Sequence, residues 1–187
     1  MRIVGDKNIA IIGSSGAIGS QLVEQLHKSY PLATIHAFSR IKNKENTDHI
    51  TYYALDYSSE ANIQEAADNA AQLDPLDLVV ITTGTLHKND IMPEKSIQDL
   101  SKENLTYIYY VNTILPSLIG KYFLPKFDKQ APGIFSALSA RVGSICDNKL
   151  GGWYSYRASK AALNMIMKNF SIEMKRTHKN LIIAGLH

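Results

Sequence analysis

Tyr156 and Lys160 are the pair in this sequence best suited to proton transfer. They lie four apart in Tyr154-Ser155-Tyr156-Arg157-Ala158-Ser159-Lys160, a spacing that puts both on one face of a helix. An ordinary phenol loses its proton at a pH of about 10, too high for proton transfer at neutrality. A nearby ammonium favours the phenolate and lowers that value. Tyr154 has Ala158 four residues on, not a cation, and is expected to pack. The same pair occurs by chance in many helices, so its place in the chain decides its meaning.

That place follows from a second motif. Gly13-Ser14-Ser15-Gly16-Ala17-Ile18-Gly19 comes directly after the apolar run Asn8 to Ile12 and opens a helical pattern. Glycines there allow positive φ and let the backbone approach a pyrophosphate, which would sit at the helix N-terminus among free N–H groups. Gly13, Ser14, Ser15, Gly16, Ile18 and Gly19 are therefore the candidate phosphate-binding residues. The spacing departs from the general dinucleotide fingerprint by its two-residue gaps, Gly-x2-Gly-x2-Gly. An NAD site would carry an acidic residue about twenty positions further on. Here the second apolar run ends Phe38-Ser39-Arg40 with no carboxylate. A guanidinium suits a 2′-phosphate, so Ser39 and Arg40 point to NADP, with NAD possible and a solvated surface arginine the plain alternative.

The elements that must hold these residues alternate between strand and helix, the pattern of βαβ units around a parallel sheet. Strands are expected over Asn8–Ile12, Thr34–Phe38, His49–Leu55, Leu76–Ile81, Gly133–Leu138 and Leu181–Ala184. A helix is expected over Ala17–Lys28, with Ile18, Leu22, Val23 and Leu26 on one stripe. A second begins at a Ser58 or Ser59 cap. Leu86–Ser101 reads as irregular. A long helix then runs through Tyr107, Val111 and Leu115 to Phe123, bent at Pro116, and Arg141–Gly152 is a loop before a helix over Tyr154–Thr177. The fold class is α/β, a Rossmann-type doubly wound sheet of order 3-2-1-4-5-6, with residues 1–187 as one domain.

With these elements in place the chain resembles the short-chain dehydrogenase/reductase family, and within it the C-factor-like or carbonyl-reductase-like branch. The likeness rests on the glycine turn, Val111-Asn112, Ser139-Ala140-Arg141-Val142-Gly143-Ser144-Ile145, and the segment from Gly151 through Trp153, Tyr156 and Lys160 to Asn164. It implies that Tyr156 donates the proton, that Lys160 holds the nicotinamide ribose and lowers the Tyr156 pKa, and that Asn112 supports a relay water. Asp56 resembles the adenine-contacting aspartate, and could equally cap a helix. The family's Asn-Asn-Ala-Gly becomes Ile81-Thr82-Thr83-Gly84, where Gly84 still permits close approach of a cofactor. The serine that polarises the carbonyl falls on Ala140. Ser139 replaces it only if the strand end twists, since neighbouring residues point to opposite faces. Ser144 is the other candidate, and plain hydroxyl-to-backbone bonding the alternative for both. The family's Pro-Gly turn, further helix and last strand have no counterpart after Ala184-Gly185-Leu186-His187, so the sheet is expected to be C-terminally short.

The composition bounds these readings. Of 187 residues, 45% are apolar and 20% charged, a globular balance. The net charge of +3 is scattered, which argues against nucleic acid or a membrane surface. Cys146 is the only cysteine, so a reducing, cytoplasmic setting is expected, and the apolar run Ile9 to Gly13 is too short for a signal peptide. No metal site is expected. The partner is a small carbonyl or alcohol; a homo-oligomer is expected through the long helices, where Tyr107, Tyr110, Ile114 and Leu118 form an apolar stripe. The alternative function is a nucleotide-binding regulatory relative with little or no catalysis.

Overall fold

The computed structural model describes residues 7–42, 44–87 and 91–187. Part of the stretch expected to be irregular, residues 88–90, lies outside them. Six strands, β1 (Asn8–Ile12), β2 (Thr34–Ser39), β3 (Ile50–Ala54), β4 (Leu78–Ile81), β5 (Gly133–Leu138) and β6 (Leu181–Leu186), form one sheet of order β3-β2-β1-β4-β5-β6. Every neighbouring pair is parallel. Strands buried on both faces read as continuous apolar runs, and β1, Asn-Ile-Ala-Ile-Ile, is buried at all five positions.

Side chains alternate between two cores. Ile9, Ile11, Ile35 and Ala37 pack with Val23 of helix α1 (Ala17–Ser29). Ile12, Phe38, Val79, Ile81, Phe135 and Ala137 face the other way, onto Ile63 of α2 (Glu60–Ala70), Ile119 and Phe123 of α4 (Leu115–Phe123), and Leu163 and Met167 of α5 (Tyr154–Met174). The chain goes from β1 toward β2 on one side and β4 on the other. That reversal opens a crevice beyond the C-terminal ends of β1 and β4.

Several expected boundaries shift. β6 runs on to Leu186, because Ser139 N donates to Leu186 O at 2.7 Å and keeps the ladder going. Leu76 leaves β4 and forms an isolated bridge with Phe127. α5 stops at Met174, short of Thr177. The long helix expected up to Phe123 is not one bent rod. α3 (Lys102–Tyr109) passes into a wide π turn, Tyr110–Ile114, before α4 begins. Pro116 is the cause: it has no N–H for the Asn112 carbonyl and its ring crowds that carbonyl, so the ladder widens one turn earlier than the proline itself. The apolar stripe expected for a partner is also partly spent inside the chain. Tyr107 and Tyr110 line the cleft beside β4, and Tyr110 Oη donates to Tyr57 O at 2.5 Å. Among the described residues no helix is long and apolar enough to cross a membrane.

One buried group links this core to pH. His36 stacks on Phe38 and Tyr53, with Nδ1 3.1 Å from Tyr53 Oη. Burial lowers its pKa from 6.5 to about 4. Between those values the unfolded chain binds a proton that the native chain does not, so stability falls as pH drops from 6.5 to about 4. The loss is about 3 kcal/mol at most. His36→Phe keeps the stack and is expected to flatten this slope; urea unfolding at pH 7, 5 and 4 would show the idea wrong if both proteins lose stability in parallel.

Candidate active site

The glycine turn is shaped by contacts that leave no room for side chains. Gly13 has φ +94°, and a Cβ on it would fall 2.7 Å from Thr82 Oγ1 and 3.0 Å from Thr83 N. A Cβ on Gly19 would overlap the Gly13 carbonyl. The turn is anchored to β2, as Gly13 N and Ser14 N both donate to Phe38 O, at 2.8 and 3.0 Å. Thr82 Oγ1 donates to Ile12 O at 2.9 Å and Gly13 O at 3.1 Å, so a hydroxyl binds β4 to this turn. Gly16 begins α1 with no side-chain cap, leaving the first-turn N–H groups facing outward.

In front of the turn lies a cleft of about 810 Å³, lined by Gly13, Ser15, Gly16, Arg40, Asp56, Thr83, Gly84 and Tyr110 among others. The buried hydroxyls of Ser14, in the turn, and Thr83, beside the cleft, have no partner among the described residues. Burial pushes Tyr57 up to about 12, against smaller pulls from the Arg40 charge and a hydrogen bond with the Gly13 backbone. A cradle with an uncapped helix, a nearby guanidinium and orphaned hydroxyls suits a dinucleotide's phosphates.

The residues expected here do not all behave alike. Ser39 is buried and its hydroxyl donates to Ile41 O at 2.7 Å, so it is turned away from the cleft. Ile18 is 61% exposed on α1. Asp56 does not cap α2, since Ser59 does, accepting from Asn62 N at 3.2 Å. Asp56 instead accepts from Ser58 N and Ser58 Oγ, which hold its carboxyl below the usual range. Tyr154, expected to pack, is 39% exposed.

At the β4 end of the cleft, four residues come together. Lys160 is 2% exposed, and its Nζ donates to Leu138 O at 2.6 Å and lies 5.8 Å from the centre of the Tyr156 ring. A Cβ on Gly84 would be 3.4 Å from Lys160 Nζ and 3.6 Å from Asn112 Oδ1. Asn112 is fully buried in the π turn. Its Oδ1 accepts from Thr85 N at 2.8 Å; its Nδ2 donates to Thr85 O at 2.9 Å and to Ser159 Oγ at 3.1 Å. Gly143 closes the far side, where a Cβ would meet the Lys160 backbone at 2.9 Å.

The expected lowering of the Tyr156 pKa is not seen. Burial raises it, because the lysine points over the ring toward a carbonyl and not at the phenol oxygen. Burial also lowers Lys160 to about 8. Ser139 stands apart as well: its Oγ donates to Asn164 Oδ1 at 2.6 Å, further along α5. Ser139, Ala140 and Ser144 line a second cavity of about 490 Å³ between α5 and β6. Thr85, Tyr57 and Ser159 belong to the site and were not expected. Thr85 and Tyr57 follow Gly84 and Asp56 in sequence, which was the available signal.

The doubly wound sheet thus holds a glycine turn at its switch point, with a Tyr–Lys pair on α5. The chain matches the short chain dehydrogenase family over residues 7–185 and belongs to it. It is 26% identical over 182 residues to an uncharacterized oxidoreductase of Schizosaccharomyces pombe, covering 92% of this chain and 69% of that protein. Over 80 residues it is 29% identical to C-signal of Myxococcus xanthus, covering 43% of this chain and 48% of C-signal. The NADPH-bound carbonyl reductase from chicken fatty liver shares the fold with a TM-score of 0.80 at 23% identity, over 97% of this chain and 76% of that one.

Lys160 yields a stability test. Its pKa of about 8 lies below the 10.5 of an unfolded lysine, so the burial penalty is full below pH 8 and is relieved as pH rises toward 10.5. Lys160→Met removes that penalty and also the bond to Leu138 O. The expected net gain is about 1–2 kcal/mol at pH 7, fading as the pH approaches about 10. Chemical denaturation across that range checks it; a gain independent of pH would exclude the charge as its origin.

Proposed function

We propose that residues 1–187 form one nucleotide-binding domain acting as an NADP(H)-dependent reductase or dehydrogenase on a small carbonyl/alcohol pair. The observation that carries this reading is the meeting of Lys160 Nζ, the Tyr156 ring, Asn112 and Gly84 at one end of the glycine-turn cleft. When bound, the nicotinamide supplies or accepts the hydride at the substrate's carbonyl carbon. Tyr156 Oη gives its proton to the carbonyl oxygen during reduction and takes one from the alcohol during oxidation. Lys160 holds the ribose hydroxyls. Pro116 cannot give an N–H to the Asn112 carbonyl, which makes that carbonyl an acceptor for the water that reprotonates Tyr156.

Cofactor choice falls to Arg40, exposed at the cleft and free of any carboxylate neighbour on β2; the buried Ser39 hydroxyl contributes little. Asp56 borders the adenine end. Ser139 serves the substrate oxygen only after leaving Asn164, with Ser144 as its alternative. That engagement, together with Ala140, favours a second reading: a nucleotide-binding relative that catalyses little.

The experiments separate the two readings. NADPH is expected to bind more tightly than NADH by about 1–3 kcal/mol, through charge-assisted phosphate bonds. Fluorescence titration checks this, and a preference that survives Arg40→Ala would overturn the assignment. Tyr156→Phe is expected to keep NADPH binding and lose about 10²-fold or more in reduction of an aldehyde and ketone panel. If the wild type binds NADPH yet reduces nothing on that panel, the second reading replaces the first. A homo-oligomer through the exposed faces of the π turn and α5 belongs to the same proposal. Ile114 and Met165 are 45% and 61% exposed there; a monomeric mass by light scattering at micromolar concentration would count against it.

A further inference from the structure

α5 carries Tyr156 in its first turn, yet no side chain of its own caps that end. The approach is a run of three left-handed residues, Gly151 at φ +65°, Gly152 at φ +62° and Trp153 at φ +51°. Trp153 is the non-glycine residue with positive φ among the described residues, a conformation that must be imposed from outside. What imposes it is the loop between β4 and α3. Trp153 N donates to the Glu94 carbonyl at 2.5 Å, and Ser155 N donates to Glu94 Oε2 at 3.2 Å. Ser155 Oγ donates to Glu94 Oε1 in a short bond.

Glu94 is a carboxylate with only 3% exposure that the proposed chemistry does not use. Among the described residues no cation pairs with it; helix N–H and hydroxyl donors hold it, at the end of α5 where the helix dipole favours negative charge. The loop is itself pinned, since Asp99 Oδ2 accepts from Lys95 N and Ser96 N at 2.9 Å each.

We propose that Glu94 is a positioning residue: its buried carboxylate caps α5 at Ser155, fixes where that helix starts, and so places Tyr156. Tyr156 is then gripped from both sides, by Glu94 at the preceding residue and by Asn112 at Ser159, whose Oγ also donates to Tyr156 O at 2.8 Å. The catalytic half of this inference rests on Tyr156 being the proton donor; the clamp does not.

Trp153, the one tryptophan in the chain, reports on the clamp directly. It starts α5 and stands edge-to-face against the Tyr156 ring at 6.4 Å. The experiment compares Glu94→Ala, Glu94→Gln and Ser155→Ala with the wild type. The readouts are Trp153 emission, hydrogen exchange at Ser155–Arg157, NADPH affinity, and kcat on whichever panel carbonyl the wild type reduces. Glu94→Ala is expected to shift the emission, to speed that exchange at least tenfold, and to lower kcat at least tenfold while NADPH affinity stays within threefold. Glu94→Gln is expected to restore all three, because its amide can accept from Ser155 N and donate to Ser155 Oγ.

Unchanged emission and exchange in Glu94→Ala would overturn the clamp. Altered emission with wild-type kcat, in an enzyme that Tyr156→Phe inactivates, would reduce Glu94 to a structural residue and overturn the positioning role. Should Glu94→Ala fail to fold, Ser155→Ala carries the same test with a smaller, about threefold, change in exchange, and no change would sink the proposal. If the wild type reduces no carbonyl, the Tyr156 reading alone fails, and emission and exchange still decide for or against the clamp.

Discussion

A buried amide must find its hydrogen bonds inside the protein, because leaving one unmade costs about 1–3 kcal/mol. Asn112 is buried without measurable exposure, and it satisfies this demand at the Thr85 backbone and Ser159. Those bonds tie the segment after β4, the π turn and α5 into one unit. Gly84 is drawn against Lys160 as a result, and Thr113 Oγ1 adds a second tie to α5 through Ser159 O at 2.8 Å. The π turn presents Asn112 in this way, and Pro116 produces the π turn. One imino acid in α4 thus sets the spacing between the cleft and the Tyr–Lys helix.

Polar groups are also buried in the neighbourhood of that unit. Lys160 is buried with a carbonyl as partner, and among the described residues the hydroxyls of Ser14 and Thr83 are buried with none. Each opposes folding, and the two apolar cores on either side of the sheet outweigh them. Phe38 against Phe123 and Phe135 against Phe170, both edge-to-face, lie within the larger core and brace the strands that end at the site. A core that needs no polar member here can carry a site whose polar groups are left open to a ligand.

The alternation of strand and helix, the sheet order and the glycine turn were legible because each rests on local pattern. Apolar runs such as Asn-Ile-Ala-Ile-Ile mark covered strands, and three glycines before a helix mark a turn with no room for Cβ atoms. The surroundings of Ser39 and Arg40 were only half legible. Arg40 does face the cleft, but Ser39 lies one residue earlier in an alternating strand and turns its hydroxyl inward to Ile41 O. The π turn was not legible, only a bend at Pro116, because a proline's effect is felt at the carbonyl four residues before it. Glu94 gave no signal, since its role depends on contacts with a residue 61 positions away. The direction of the Tyr156 pKa was likewise unreadable: Tyr-x3-Lys fixes which helix face the lysine occupies, not whether its Nζ reaches the phenol or a carbonyl.

The two sides of the site are therefore held by different means, and they tolerate change differently. The phosphate side is backbone against backbone. Gly13 and Gly19 have no space for any side chain, so the only adjustable parts are the hydroxyls of Thr82 and Thr83 at its edge. The Tyr156 side is held by side chains, Asn112 and Glu94, acting on Ser159 and Ser155 across elements far apart in sequence. Side-chain ties can be exchanged for others of like geometry. The loop after β5 shows the same latitude, with Ala140 where the family has serine and a Ser139 hydroxyl occupied by Asn164. Close backbone packing fixes the glycine turn, while the surroundings of Tyr156 are set by a few side-chain hydrogen bonds.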